Sequence, residues 1–259
     1  FKIDNIIAGE NGGILSFNKI DYFKNYKFFM PSPDTESFMR VHLVERQLSG
    51  LVSGSQGGQI DLGNGAVINF SENSFVDENN VSYEGDVSVY VHWFDPADSR
   101  SFSPSMPGDL RALDAEGQLA QLSTYGMMAV ELYTDNGREL QLAENKKARL
   151  EFPIPNSLIN SAPEVIETWS LNEQTVYWEE EDIASLVDGK YIAEVSHFSF
   201  WNCDAPFPLV NISGKIVDLN GSPLPGLRIC IIAFNGSQTG YGWTDGSGGF
   251  RGKVPKNQE

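Results

Sequence analysis

The stretch VSHFSFWNCD, residues 195 to 204, gathers a histidine, two serines, three aromatic side chains and a cysteine into ten positions. In an extended strand, side chains two apart point the same way, so His197 and Ser199 lie side by side while Phe198 and Phe200 face the other layer. An imidazole beside a hydroxyl is the pair from which an activated oxygen nucleophile is built, with the histidine as proton acceptor. The competing reading treats both as ordinary strand residues and Phe198, Phe200 and Trp201 as anchors of a sandwich core. The competing reading ranks first.

Other candidates are weighed in the same way. Trp169 and Trp178 offer faces on which a sugar ring could stack, yet large aromatics dominate core burial, so packing is the first reading for both. Trp243, beside Gly240 and Gly242, is the better candidate for contact with a ligand. Glu179, Glu180, Glu181 and Asp182 form an acidic run, and DGSGG at 245–249 has the look of a cation loop. Neither carries the alternating oxygen ligands that a hard cation requires, so no metal is expected. His42 and His92 stand alone without ligand spacing. Hydrolase, phosphate-loop and zinc-protease signatures are absent, and no cofactor is implied.

The 259 residues carry 35 acidic against 18 basic side chains, a formal charge of −17. Such a surface repels phosphate backbones and anionic membranes, which excludes nucleic acid as a partner and suits an exported, well-solvated protein. No apolar run reaches the roughly eighteen residues that span a bilayer, so no transmembrane segment is expected. The chain opens at Phe1 and closes in KVPKNQE, the look of a piece cut from something longer. Cys203 and Cys230 allow at most one disulfide.

Helical periodicity is nearly absent, while short alternating runs are punctuated by Gly, Asn, Asp and Pro, the pattern of an all-β protein. Strands are predicted over 14–20, 39–45, 66–70, 86–94, 127–134, 148–154 and 190–200, with turns at DNG 135–137, VDG 187–189 and LNG 219–221. Residues 158–166 read as a loop or short turn. The Gly/Ser-rich stretch at 48–59 reads as a linker, and the prolines of DAPFPLVN (204–211) stop the strand that ends in Trp201. The chain therefore divides near 1–50, 51–206 and 207–259.

ISGKIVDLNGSPLPGLRICI (212–231), followed by YGWTDGSGGFRGKVP (241–255), resembles the carboxypeptidase regulatory-like domain, a small transthyretin-like β-sandwich. The likeness lies in a Gly-bearing strand, a D-x-x-G turn, P-L-P-G, an alternating strand and T-D-x-x-G-x-F. Residues 1–50 are similar to the C-terminal half of the same domain type, through a short apolar strand, Tyr22, Phe23 and Tyr26, and a closing MRVHLVE. The middle region is similar to the ZU-five and UPA modules of netrin receptors and junction scaffolds. WSLNEQTVYWEEE (169–181) brings it closer to the cartilage intermediate layer proteins and the astroprincin family, although NFSENSFVD (69–77) departs from their usual proline-rich turn.

His197-Phe198-Ser199 also matches the triplet at which an autocleaving nucleoporin and certain ZU-five/UPA death-domain scaffolds cut their own chains. That resemblance implies attack of the Ser199 hydroxyl on the Phe198 carbonyl, an N-to-O acyl shift assisted by His197 and by backbone strain, and opening of the ester by water.

The expectation is an all-β chain of tandem sandwiches, truncated at both ends, from a bacterial cell-surface protein. Its role is a noncatalytic structural, adhesion or ligand-presenting scaffold with protein or glycan partners. The alternatives are a self-processing module that cuts between Phe198 and Ser199, and a carbohydrate-binding module that uses Trp243.

Overall fold

The computed structural model describes residues 12–29, 38–232 and 239–256; the remainder of the 1–50 and 207–259 divisions lies outside the described residues. In chain order the first strands are β1 (Gly13–Phe17), β2 (Asn25–Phe29), β3 (Leu48–Ser53), β4 (Gly58–Asp61), β5 (Val67–Phe70), β6 (Phe75–Val76), β7 (Asp86–Phe94), β8 (Arg111–Leu113) and β9 (Leu119–Thr134). They are followed by β10 (Glu139–Leu142), β11 (Ala148–Pro153), β12 (Val165–Leu171), β13 (Trp178–Val187), β14 (Lys190–Val195), β15 (Phe200–Lys215), β16 (Arg228–Ile232), β17 (Thr239–Trp243) and β18 (Gly249–Pro255). The all-β expectation holds. Among the described residues one α-helix interrupts it, α1 (Ser99–Ser105), started by Asp98, whose carboxylate accepts from the Arg100 amide at 3.2 Å and the Ser101 hydroxyl at 2.6 Å. No helix among the described residues is long and apolar enough to cross a membrane.

The main sheet runs β3-β7-β9-β15-β12-β13-β14-β11-β5-β4, with β6, β8, β10 and β18 paired alongside. Its two ends meet, because β3 and β4 are joined by a tight turn in which the Gly57 amide donates to the Ser53 carbonyl at 2.8 Å. Gly57 has φ of +73°, and a Cβ there would come within 2.3 Å of the Phe70 carbonyl oxygen, so only glycine fits. The stretch read as a linker is thus an ordered hairpin that closes the sheet on itself.

Alternation along the strands divides the core in two. Met128, Val130 and Leu132 of β9 enter the larger cluster, with Ile68, Phe75, Leu150 and Trp201, while Met127 and Ala129 enter a smaller one with Trp169, Trp178 and Phe200. Leu122 breaks the parity of β9 by entering the smaller cluster, and the reason is a bulge: Cys203 pairs with Gly126 and Asp204 with Thr124, leaving Tyr125 as an extra residue. A second bulge does the same in β13, where Thr168 pairs with Asp182 and Trp169 with Glu180, so that Glu181 is the extra residue. Trp178 and Ala184, an even number apart, consequently face different clusters.

Several boundaries differ from the sequence reading. MRVHLVE at 39–45 alternates but forms no strand; its main chain is taken up singly, by His42 N donating to the Pro104 carbonyl and Val44 O accepting from Phe23 N. The predicted strand at 190–200 ends at Val195, and residues 196–199 form a bend before β15. Nor do the prolines of 204–211 stop the strand. β15 continues through Pro206 and Pro208, which pair with Leu122 and Ala120 of β9 on one side. β12 pairs with β15 only through Cys203 and β18 begins at Leu209, so the prolines occupy a length of strand with one neighbour. Residues 158–166 hold a short 3-10 turn (Ile159–Ser161) and the first residues of β12.

Candidate functional site

The bend between β14 and β15 presents its three candidate residues to three different surroundings. His197 and Ser199 do not share a strand face, because neither lies in a strand. The His197 ring sits 4.9 Å from the Trp201 ring, and its Nε2 lies 3.5 Å from Oε1 of Glu181, the bulged residue of β13. The His197 carbonyl accepts from the Trp201 indole at 3.1 Å. No hydrogen bond joins the imidazole to the Ser199 hydroxyl, which donates instead to the Phe200 carbonyl at 3.2 Å.

Phe198 is 6 % exposed and meets Phe70 edge-on at 5.7 Å, so its side chain is a core anchor, as the packing reading held. Its main chain is held by one side chain. The Phe198 amide donates to Gln141 Oε1 at 3.1 Å, and the Phe198 carbonyl accepts from Gln141 Nε2 at 3.4 Å. Among the described residues, the non-glycine residues with positive φ do not include any of 196–199, so left-handed backbone strain does not fall on this peptide.

Ser199 lines a small cavity with Glu131, Tyr133, Glu139, Gln141 and Glu173. At about 50 Å³ it holds roughly three waters and no sugar or cofactor. Its walls are tied off: Tyr133 donates to Glu131 at 2.8 Å, Arg46 donates to the same carboxylate oxygen at 2.8 Å, and Tyr26 donates to Glu173 at 2.5 Å. Burial and these carboxylates raise the pKa of both phenols, so Tyr26 and Tyr133 remain protonated donors.

The other candidates resolve individually. Trp169 and Trp178 are fully buried, and the Trp169 indole donates to the Asp204 carbonyl at 3.0 Å. Trp243 closes β17 opposite Arg228 and is partly exposed. The acidic run is four separate contacts: Glu179 accepts from Asn172, Glu180 from the Ala115 amide, Glu181 from Ser170, and Asp182 lies 3.5 Å from Lys147. In the DGSGG loop the Asp245 carboxylate accepts from the Ser247 hydroxyl and from the Gly249 and Ser247 amides, bonds that hold its pKa low and fix the turn. Among the described residues no three His, Cys, Asp or Glu side chains are placed to hold a metal. His92 packs edge-on against Phe94 at 4.5 Å, and burial lowers its pKa. Both cysteines are free thiols, Cys203 buried and Cys230 exposed.

Sequence reasoning missed Gln141. It stands 57 residues before Phe198 in an ELQL strand, where a polar residue between two buried leucines signals only a second face.

No protein-family profile and no solved structure matches the chain. The chain is similar to human cartilage intermediate layer protein 2, at 38 % identity over 102 residues, which covers 38 % of this chain and 8 % of that protein. The mouse protein of the same name is 30 % identical over 152 residues, 56 % of this chain and 13 % of the relative. Pig cartilage intermediate layer protein 1 is 31 % identical over 108 residues, 42 % and 18 %. The chain thus spans between 8 % and 18 % of the length of these relatives.

Proposed function

We propose that the chain is a noncatalytic spacer and ligand-presenting segment of an exported surface or matrix protein, with modules near 1–50, 51–206 and 207–259. The observation that carries this reading is β15. Its first half pairs with β9 and its second half, Leu209–Lys215, pairs with β18, so one strand carries the chain from one sheet region to the next without a flexible joint. The likeness to proteins named for a cartilage layer supports an extracellular setting, as does the strongly acidic surface. Regulatory-like sandwiches at the two ends follow the sequence motifs quoted above. Amide hydrogen exchange along β15 tests the reading. Protection of the non-proline amides that face β9 or β18 is the expected outcome; rapid exchange of every amide of Asp204, Ala205 and Phe207, Pro206 and Pro208 having none, marks a hinge and removes the rigid spacer.

A second reading is favoured by the contacts of the Phe198–Ser199 peptide, which lies outside any strand, beside a water-sized cavity, with a side-chain donor on its carbonyl. In this reading Ser199 Oγ attacks the Phe198 carbonyl carbon, the new C–O bond replaces the C–N bond, and the hydroxyl proton passes to the departing Ser199 nitrogen. Water then opens the ester, returning the Ser199 hydroxyl and leaving a Phe198 carboxylate. His197 must leave Glu181 and Trp201 to carry the proton. Intact mass spectrometry of denatured protein decides: masses of 1–198 and 199–259 establish processing, and one full-length mass removes it.

A further inference from the structure

We propose that Gln141 is a catalytic residue of the self-processing site, the donor that stabilises negative charge on the Phe198 carbonyl oxygen during the acyl shift. The inference rests on the self-processing reading and adds to it a residue far from the cleaved triplet in sequence.

The attack of Ser199 converts a planar amide carbonyl into a tetrahedral centre whose oxygen carries the charge. Three carboxylates, Glu131, Glu139 and Glu173, line the adjoining cavity and oppose that charge. A preorganised neutral donor is the remedy such sites use, and loss of one donor typically slows a reaction by about 10²–10³. Gln141 Nε2 stands 3.4 Å from the Phe198 oxygen. That distance is to the ground-state oxygen; a donor of this kind is placed for the oxyanion, towards which the bond shortens as charge develops.

The orientation of the Gln141 amide is fixed by its second contact. The Phe198 N–H can only donate, so the atom 3.1 Å away must be the oxygen Oε1, and Nε2 is left for the carbonyl. The base of the side chain is fixed as well. Gln141 pairs with Val76 of β6, and its neighbours Leu140 and Leu142 are 1 % and 7 % exposed in the larger core. A donor mounted on such a strand does not have to be ordered at the moment of reaction.

The test follows the appearance of fragments 1–198 and 199–259 in freshly refolded protein, with and without hydroxylamine, which attacks an ester and leaves an amide intact. In wild type, hydroxylamine accelerates the second step. Gln141→Met keeps length and removes both hydrogen bonds; cleavage slowed on the order of a hundredfold and not rescued by hydroxylamine places Gln141 in the acyl shift. Gln141→Glu keeps the acceptor for the Phe198 N–H and removes the donor; it is expected to remain folded and to cleave as slowly as Gln141→Met. Thermal melts in a Ser199→Ala background separate folding from rate. Wild-type cleavage with undiminished rate in Gln141→Glu overturns the role of Gln141 and leaves self-processing standing. A single full-length mass in wild type, with hydroxylamine present, overturns both.

Discussion

The Lys27 ammonium donates to the Met106 carbonyl at 2.6 Å and to the Ser103 carbonyl at 3.0 Å, so β2 places a buried cation on the C-terminal end of α1. The negative end of the helix favours that cation, but loss of water outweighs it. Burial lowers the Lys27 pKa from 10.5 to about 8, with Asp109 opposing the shift. Between those values the unfolded chain holds a proton that the folded chain lacks, so the contribution of Lys27 to stability rises with pH across the window. Denaturant unfolding of wild type and Lys27→Met on either side of it is expected to show wild type gaining on the variant by on the order of 3 kcal/mol as pH rises. A constant difference removes the buried charge from the account.

Asp204 gives the opposite slope. It is fully buried beside the β9 bulge, with Oδ2 accepting from Asn202 at 2.6 Å and Oδ1 without a partner. Burial pushes its pKa well above the ordinary aspartate value, against a smaller opposing contribution from Thr124. The folded chain therefore keeps a proton that the unfolded chain loses, and the stability due to Asp204 is complete at acid pH and falls as pH rises towards the folded value. Asp204→Asn copies the neutral form. Its stability relative to wild type is expected to grow from acid to neutral pH in urea titrations, and a parallel pair of curves would show the carboxylate ionised in the fold.

Phe198 carries more of the fold than the chemistry does. Truncation to alanine empties a space bounded by Phe70 and the larger core, and is expected to cost about 3–5 kcal/mol in chemical denaturation. A loss below 1 kcal/mol, on the scale of surface substitutions, would mean that the bend repacks around it.

If the chain is cut after Phe198, the pieces are expected to stay together. The fragment beginning at Ser199 retains β15, whose ladder to β9 runs from Phe200 to Pro208 and whose ladder to β12 holds Trp201 to Cys203. Size-exclusion chromatography without denaturant is expected to give the full-length elution volume, and denaturing electrophoresis two bands. Separation under native conditions would mean that the ladder depends on the intact bond.

The strand type of the fold was legible because alternation is a local property, and β7 matches its predicted range of 86–94 residue for residue. Alternation does not supply a partner, which is why Met39–Glu45 has the pattern without a ladder. Glycine misled in the other direction. Gly50 and Gly57 suggested a flexible linker, yet a Cβ on Gly50 would come within 2.6 Å of Ile60 Cδ1, so the residue serves close approach inside a closed sheet. The candidate triplet was visible in the sequence and its geometry was not. The bend that separates His197 from Ser199, the Glu181 bulge that receives the imidazole, and the Gln141 side chain on the Phe198 peptide all depend on contacts between distant strands.

A strand shared by two sheet regions also determines how the molecule bears load. Tension applied along β15 is resisted on one flank by rungs from Phe200 to Pro208 and on the other by rungs from Leu209 to Lys215. Because these hydrogen bonds lie across the direction of pull, they are loaded in parallel and must fail together, whereas a hairpin opened from its end loses them one at a time. Segments arranged in this way behave as links of a chain under shear, which is the behaviour the proposed spacer role requires.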